Sequence, residues 1–584
     1  MKKFVLSVLL LFSLCINSFC QEVLNSMNAS WQRVIPGELI CEPQQTSYGF
    51  SLITDSRYLI AYSGTGTLLW DKPLKRGSKP FYTVLPDDFF AVVTNNGKRL
   101  SLLNPSGSEI WSWDQELPIT EKPFAGRDGR FFVRNENAIW CYGINGIRKW
   151  FLETPALNSI PAQELPDGSI VVFLKQLYDG KTKGLRISPF GEIMEEILFS
   201  GEVYSTVSCD EGILLSFTNG LAGLFSLQNN KAKNKWILSN KSSTTKCTNK
   251  FVLSTDKSKV IFIVNNGSSY TINLINLSKG EIISSFEIIA PSGDTTCIYN
   301  NQGIFITDSK TAWFYNLNGI EIWSGTFPAK TKNSSWNYFT YTPDNYLIIF
   351  DTSWTANAFR TVQSLQKTDI SISRKNYNSF YNINTMLFDN AYMPVKINDD
   401  FASEKRLNDI SKGDYGKKEI EWISMLLSGL YAKQQFENPV KDNLGTKTQL
   451  SVFQKDAAGY ELMLNQIPIF GTDTFVKLTA SMLKNEKDKA NIKVLLNGII
   501  LNGYDPDAEI LNSLYLLSRR IPEKEDTILI EICDAIYSLC LFNGRPAFYA
   551  KGKEILSTFL YPKYSSKTRS YARTVFKKIS DLDL

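Results

Sequence analysis

The sequence predicts an all-β propeller, of eight blades of four strands closed by the N-terminal strand, followed by an all-α helical-repeat domain. Three observations predict it. A tryptophan returns about every forty residues, a turn motif interleaves with it, and the hydrophobic period changes from strand-like to helical beyond about residue 365.

The chain opens with Met1-Lys2-Lys3 and an apolar run from Phe4 to Ile16 broken only by Ser7 and Ser13. A charged start before a short apolar stretch is the pattern of an export signal, and the stretch is too short to span a bilayer. Small residues Ser18 and Cys20 place cleavage after Cys20, so residues 1–20 are expected to be removed. Lipidation at Cys15 or Cys20 is the alternative, which the bulky Leu14 and Phe19 before them fit poorly. Removing Lys2 and Lys3 from the 63 basic residues leaves 61 against 58 acidic ones. That balance gives no global reason to expect nucleic acid as a partner.

The propeller is expected over residues 21–365. Glycine precedes tryptophan by four residues at Gly66 and Trp70, Gly107 and Trp111, Gly146 and Trp150, and Gly319 and Trp323. Weaker copies fill the gap: Gly191 with Glu195, Ala232 with Trp236, and Gly280 with Ser284. With Trp31 these make eight positions spaced by 39 to 48 residues. A second landmark is a turn bearing Asp, Asn or Gly just before strand formers, as in Asp55-Ser56, Pro86-Asp87-Asp88, Asp128-Gly129, Pro166-Asp167-Gly168, Asp210-Glu211-Gly212, Asp256-Lys257, Gln302-Gly303 and Pro343-Asp344-Asn345. The two landmarks alternate, so each unit holds several short antiparallel strands, as propeller blades do. Trp31 lacks a preceding set and the set after Pro343 lacks a clear tryptophan strand. The N-terminal strand is therefore expected to complete the last blade and remove a free edge.

Two copies of the landmark carry a family resemblance. Leu103-Asn104-Pro105-Ser106-Gly107-Ser108-Glu109-Ile110-Trp111 and Tyr315-Asn316-Leu317-Asn318-Gly319-Ile320-Glu321-Ile322-Trp323 resemble the pyrroloquinoline-quinone-type propeller repeat. The quinone-dependent dehydrogenases of that family hold their cofactor with a vicinal disulfide and a calcium ion. This sequence has no Cys-Cys pair and no evident acidic calcium cluster, so no cofactor is expected and the tryptophans read as packing. Among exported members without a quinone site, the chain is similar to the propeller subunit of the outer-membrane β-barrel assembly machine. That protein is a lipoprotein without a helical domain.

A connector is expected over 366–406 and helices over 407–584. Ile420, Ile423, Leu427 and Leu430 share one face, as do Ile492, Leu495, Leu496 and Ile499, and Leu529, Ile532, Cys533, Ile536 and Cys540. Asn502-Gly503 is read as a helix end, and Asp505-Pro506 as the N-cap and first turn of the next helix. Asn543-Gly544 with Pro546 repeats the pattern. Val494 to Asp505 resembles a degenerate HEAT-type repeat. The expectation is a short α-solenoid of about eight helices, with a compact bundle as the alternative.

Chemistry finds little footing. The absence of histidine excludes Ser-His-Asp and Cys-His nucleophile systems and imidazole-bound zinc. The seven cysteines beyond residue 20 show no C-x-x-C spacing. Gly64-Thr65-Gly66 lacks a third glycine, and Gly180-Lys181-Thr182 has Lys175 where a phosphate loop needs its first glycine. Asp505-Pro506-Asp507 has no further calcium ligands around it. What stands out is cationic: Arg569, Arg573 and Lys577 at four-residue spacing, with Lys563, Lys567 and Lys578 nearby. Such a stripe suits an anionic partner or lipid headgroups. The expected function is an exported, non-enzymatic scaffold for protein partners in the cell envelope, by analogy a Gram-negative periplasm, with possible partner docking at that stripe. The alternative is a quinone- or metal-dependent oxidoreductase with a carboxylate-only site.

Overall fold

The computed structural model describes residues 29–360, with short breaks of which 240–246, 290–295 and 327–337 are the longest, then parts of 409–424, and 476–583. The expected export segment, the connector at 366–406, and Leu427 and Leu430 lie outside the described residues. The chain forms two compact units: residues 1–73, 200–228 and 232–370, and residues 74–199, 229–231 and 371–584.

The strands form four-stranded antiparallel sheets in chain order, the blades of an all-β propeller. In the first unit lie blade 1 (44–73), blades 5, 6 and 7 (203–239 apart from 229–231, 250–288, 296–326) and blade 8 (338–360). Blade 8 is completed by the strand Trp31–Val34, which pairs antiparallel with Thr355–Arg360, Trp31 opposite Ala358. The expected closure by the N-terminal strand is thus present. The Trp31 ring lies nearly parallel to that of Phe50 in blade 1, centroids 6.3 Å apart.

The glycine landmark has two physical causes. Gly66, Gly146, Gly191, Gly280 and Gly319 all have positive φ, which the turn into the outer strand requires. Each also lies flat against an aromatic ring of the preceding blade: Gly66 on Trp31, Gly146 on Trp111, Gly191 on Trp150, Gly280 on Trp236 and Gly319 on Phe286. A Cβ on Gly146 would come within 2.9 Å of the Trp111 ring. The repeat therefore joins one blade's tryptophan to the next blade's glycine. The weak copy at Ser284 needs correcting on this point. Phe286, two residues further along the strand and hence on the same face, supplies the ring. At the weak copy that starts at Gly191, Glu195 forms an ion pair with Arg186 at 2.7 Å.

Where Asn opens the turn, its side chain acts as an acceptor. Asn104 Oδ1 accepts from the backbone N–H groups of Ser106 and Ser108, and Asn316 Oδ1 from those of Asn318 and Ile320. That is why Asp or Asn belongs there.

The second unit holds blade 2 (81–114), blade 3 (124–153), blade 4 (163–198) and the helices. Blade 2 consists of Phe81–Val84, Phe90–Thr94, Arg99–Leu103 and Glu109–Asp114. At the end of blade 4, Leu198 makes one further, parallel pair with Lys231, also in this unit.

The helices are α1 (Lys489–Asn502), α2 (Glu509–Arg520), α3 (Asp526–Asn543), α4 (Pro546–Thr558) and α5 (Ser566–Leu582), preceded by helical residues 476–485. α1 packs on α3 and α3 on α5, while α2 packs on α4. Helices two apart are therefore neighbours, the stacking of a helical repeat. Interhelical bonds recur at matching separations: Arg520 to Leu483 O spans 37 residues, Ser538 to Ile500 O spans 38, and Ser565 to Asp526 spans 39. One apolar cluster runs through the stack from Ile410 to Ile579 and contains Ile420, Ile423 and the expected faces of α1 and α3.

Gly503 and Gly544 close α1 and α3 in left-handed caps, as read from the sequence, and Pro546 opens α4. The start of α2 differs. It begins at Glu509, not at Pro506, because a turn from Asp505 to Ala508 precedes it, with Ala508 at φ 58°. Asp505 still caps the helix, reaching over that turn to accept from Leu511 N–H at 2.8 Å.

Candidate partner-docking surface

α5 is held at its start by a shared acid. Ser565 Oγ accepts from Thr568 N–H, and both hydroxyls donate to Asp526 Oδ1 of α3, at 2.6 and 2.8 Å. Tyr571 donates to Asp534, also on α3, at 2.6 Å. Thr568, Ala572, Val575 and Ile579 are buried, which fixes the rotation of the helix. That rotation turns Arg573 and Lys577 to the exterior and leaves Arg569 half-buried. The three form one file, a turn apart.

The other cations grouped with them by sequence do not all join it. Lys563 pairs with Glu523 at 3.4 Å, and Lys578 lies over the Tyr537 ring on the α3 side. Lys567 stands beside Asp526. The file therefore consists of Arg569, Arg573 and Lys577.

A second group of polar side chains, not foreseen from the sequence, joins the helices to blade 2 within the second unit. Tyr504 donates to Asp87 Oδ2 at 2.7 Å, and Arg545 lies 4.0 Å from Asp87 Oδ1. Asn104 Nδ2 donates to Leu541 O at 2.6 Å while its Oδ1 holds its own turn. The hydroxyls of Ser106 and Tyr549 are 3.1 Å apart. Phe542 is buried in the same apolar cluster as Leu85, Phe89 and Trp111 of the blade. A side chain at Gly544 would strike Asn104. Asp87 and Asp88 both take left-handed dihedrals, at φ 58° and 62°, a conformation Asp tolerates better than most residues.

Behind this joint the ends of the helices are cross-braced. Asn543 Nδ2 donates to Gly503 O and Leu539 O, and its Oδ1 accepts from Asp505 N–H. Asp505 is buried, and desolvation pushes its carboxyl up to about 6 despite the lowering effect of the backbone N–H groups of Leu511, Ile510 and Glu509.

The cysteines are placed for packing. Burial raises Cys209 to about 11, Cys540 to about 12, and Cys533 strongly upward, so these thiols stay protonated near neutral pH. Among the described residues no three of Cys, Asp and Glu converge as a metal site would require. Gly180 and Lys181 sit at the exposed end of a hairpin, with Asp179 and Gly180 at positive φ, and Thr182 is buried.

No protein-family model and no curated protein sequence matches the chain. In comparisons with solved structures, BamB from Moraxella catarrhalis aligns over 57% of this chain and 99% of its own, at 15% identity and a TM-score of 0.41. The C-terminal WD40 domain of Sif2 aligns over the same shares at 9% identity and 0.43. So does Sqt1 from Saccharomyces cerevisiae, at 10% and 0.42.

Proposed function

We propose that the protein is an exported, non-enzymatic scaffold that presents a propeller and a helical repeat to protein partners in the cell envelope. Residues 1–20 direct export, 21–365 form a propeller of the pyrroloquinoline-quinone-repeat type, 366–406 connect, and 407–584 form the helical part. The observation that carries the reading is the joint between the helices and blade 2. Asp87, Asn104, Ser106, Tyr504, Arg545 and Tyr549 are spent on holding one element to the other, and the landmark tryptophans on neighbouring glycines. Their chemistry is that of assembly, which leaves the outer surface for partners. Arg569, Arg573 and Lys577 offer docking on that surface.

Three measurements test this. A fusion of residues 1–30 to a reporter active only after export should be active, and cross-linking of the full chain in envelope preparations should capture a protein partner. Calorimetry with calcium and pyrroloquinoline quinone should register no coupled binding. Tight coupled binding would replace the scaffold reading with an oxidoreductase.

A further inference from the structure

The geometry points to the face of α5 bearing Arg569, Arg573 and Lys577 as a docking surface for an acidic segment of a partner protein, with carboxylates spaced one helical turn apart. This rests on the scaffold reading above. The file runs about 12 Å along the helix axis at 1.5 Å per residue.

Three features set it apart from an ordinary solvated face. First, four cations of the helical part have an acid within reach: Lys489 pairs with Glu525, Lys551 with Glu554, Lys553 with Asp583 and Lys563 with Glu523. Among the described residues Arg569, Arg573 and Lys577 have no such acid. Second, the arrangement disfavours the helix that carries it. Successive like charges four apart repel, and Lys567 and Arg569 sit at the positive end of the helix dipole with no acidic residue in the first turn. An anionic partner reverses both terms. Third, Arg569 is half-buried with its Nε enclosed, so its guanidinium is held in position by its surroundings and does not sweep freely through solvent.

The same face argues for protein over membrane. The apolar residues of α5 are turned into the helical stack, and no large hydrophobic side chain on α5 is exposed. A helix that settles on lipid needs such residues at its outer face. Two guanidinium groups in file suit planar carboxylates, which they grip through paired N–H donors.

The test uses the mature full-length chain and a synthetic helical peptide with glutamates at positions one turn apart, followed by fluorescence anisotropy. Binding should weaken steeply with salt, and Arg569→Glu with Arg573→Glu should weaken it at least about tenfold. The Lys-for-Glu version of the peptide should then bind the doubly reversed protein. Arg569→Lys with Arg573→Lys should keep the salt dependence, and thermal melts should show both variants folded. Failure of the glutamate peptide to bind, binding indifferent to charge reversal, or capture by phosphatidylglycerol vesicles in place of the peptide would each overturn the assignment. A partner cross-linked in the envelope equally by wild type and the reversed variant would leave the scaffold reading standing and remove this surface.

Discussion

Trp111 shows how much of a single residue's role its neighbours decide. It is nearly buried, its ring stacks with Phe131 and Tyr142 at centroid distances of 6.1 and 6.0 Å, and Gly146 closes over it. Trp111→Ala should cost roughly 3 to 5 kcal/mol in denaturant unfolding. Gly146→Ala should also destabilise, through both its φ of 81° and the ring beneath it. In the Trp111→Ala background its cost should shrink to the backbone part, which a double-mutant cycle measures. Equal costs in both backgrounds would mean that ring and glycine are not coupled. The tryptophans were legible because they recur, whereas Phe286 was hidden by lying two residues off the motif, where only strand geometry shows it to be equivalent.

Asp505 gives a residue-scale prediction with a sign. Its folded pKa, about 6, stands above the ordinary 3.8, so the folded state holds the proton more tightly than the unfolded state. Its contribution to stability is full below about pH 4 and is lost as pH rises through about 6, by on the order of 2 to 3 kcal/mol. Asp505→Asn should flatten that part of the stability profile, as pH-resolved melts would reveal. An unchanged slope would mean that the carboxyl titrates normally.

At the scale of elements, the joint between α3, α4 and blade 2 behaves as a fastener with polar and apolar parts. Phe542→Ala should destabilise by about 3 to 5 kcal/mol, the polar changes Tyr504→Phe and Asn104→Ala by about 1 kcal/mol each. Asp87→Ala combined with Tyr504→Phe should be less than additive, because both remove the same bond. The helices themselves were readable from periodicity and caps: the face Ile492, Leu495, Leu496 and Ile499 is buried, and both Asn-Gly pairs close helices. The fastener was not readable. Asn104 already has a sufficient reason to be Asn in its own turn, and Phe542 continues an apolar pattern, so neither carries a second mark for its distant partner. The file on α5 was readable as spacing, but which of the six nearby cations belong to it depended on where Glu523, Tyr537 and Asp526 lie.

For the whole molecule, chain order and stability order need not agree. Three blades and the helical repeat form one compact unit although about 200 residues separate them in sequence. Removing the helices by truncation before residue 409 should therefore lower the melting temperature of what is left and speed hydrogen exchange in blade 2 above that in blade 4. Unaltered exchange in blade 2 would show that the joint contributes nothing to its stability.

The strand Trp31–Val34 has a consequence in time. Its partners are separated from it by a long stretch of chain, 325 residues between Gln32 and Asn357. During synthesis or passage through a membrane in the N-to-C direction, Trp31 emerges early and its place beside Ala358 does not exist until almost every blade has followed. Loop closure of that length is slow and leaves two strand edges open to strangers meanwhile. The nascent chain thus has a waiting period set by the arrival of the later blades, not by the strand's own preferences, and a chaperone that shields an extended tryptophan-bearing segment would act in that interval.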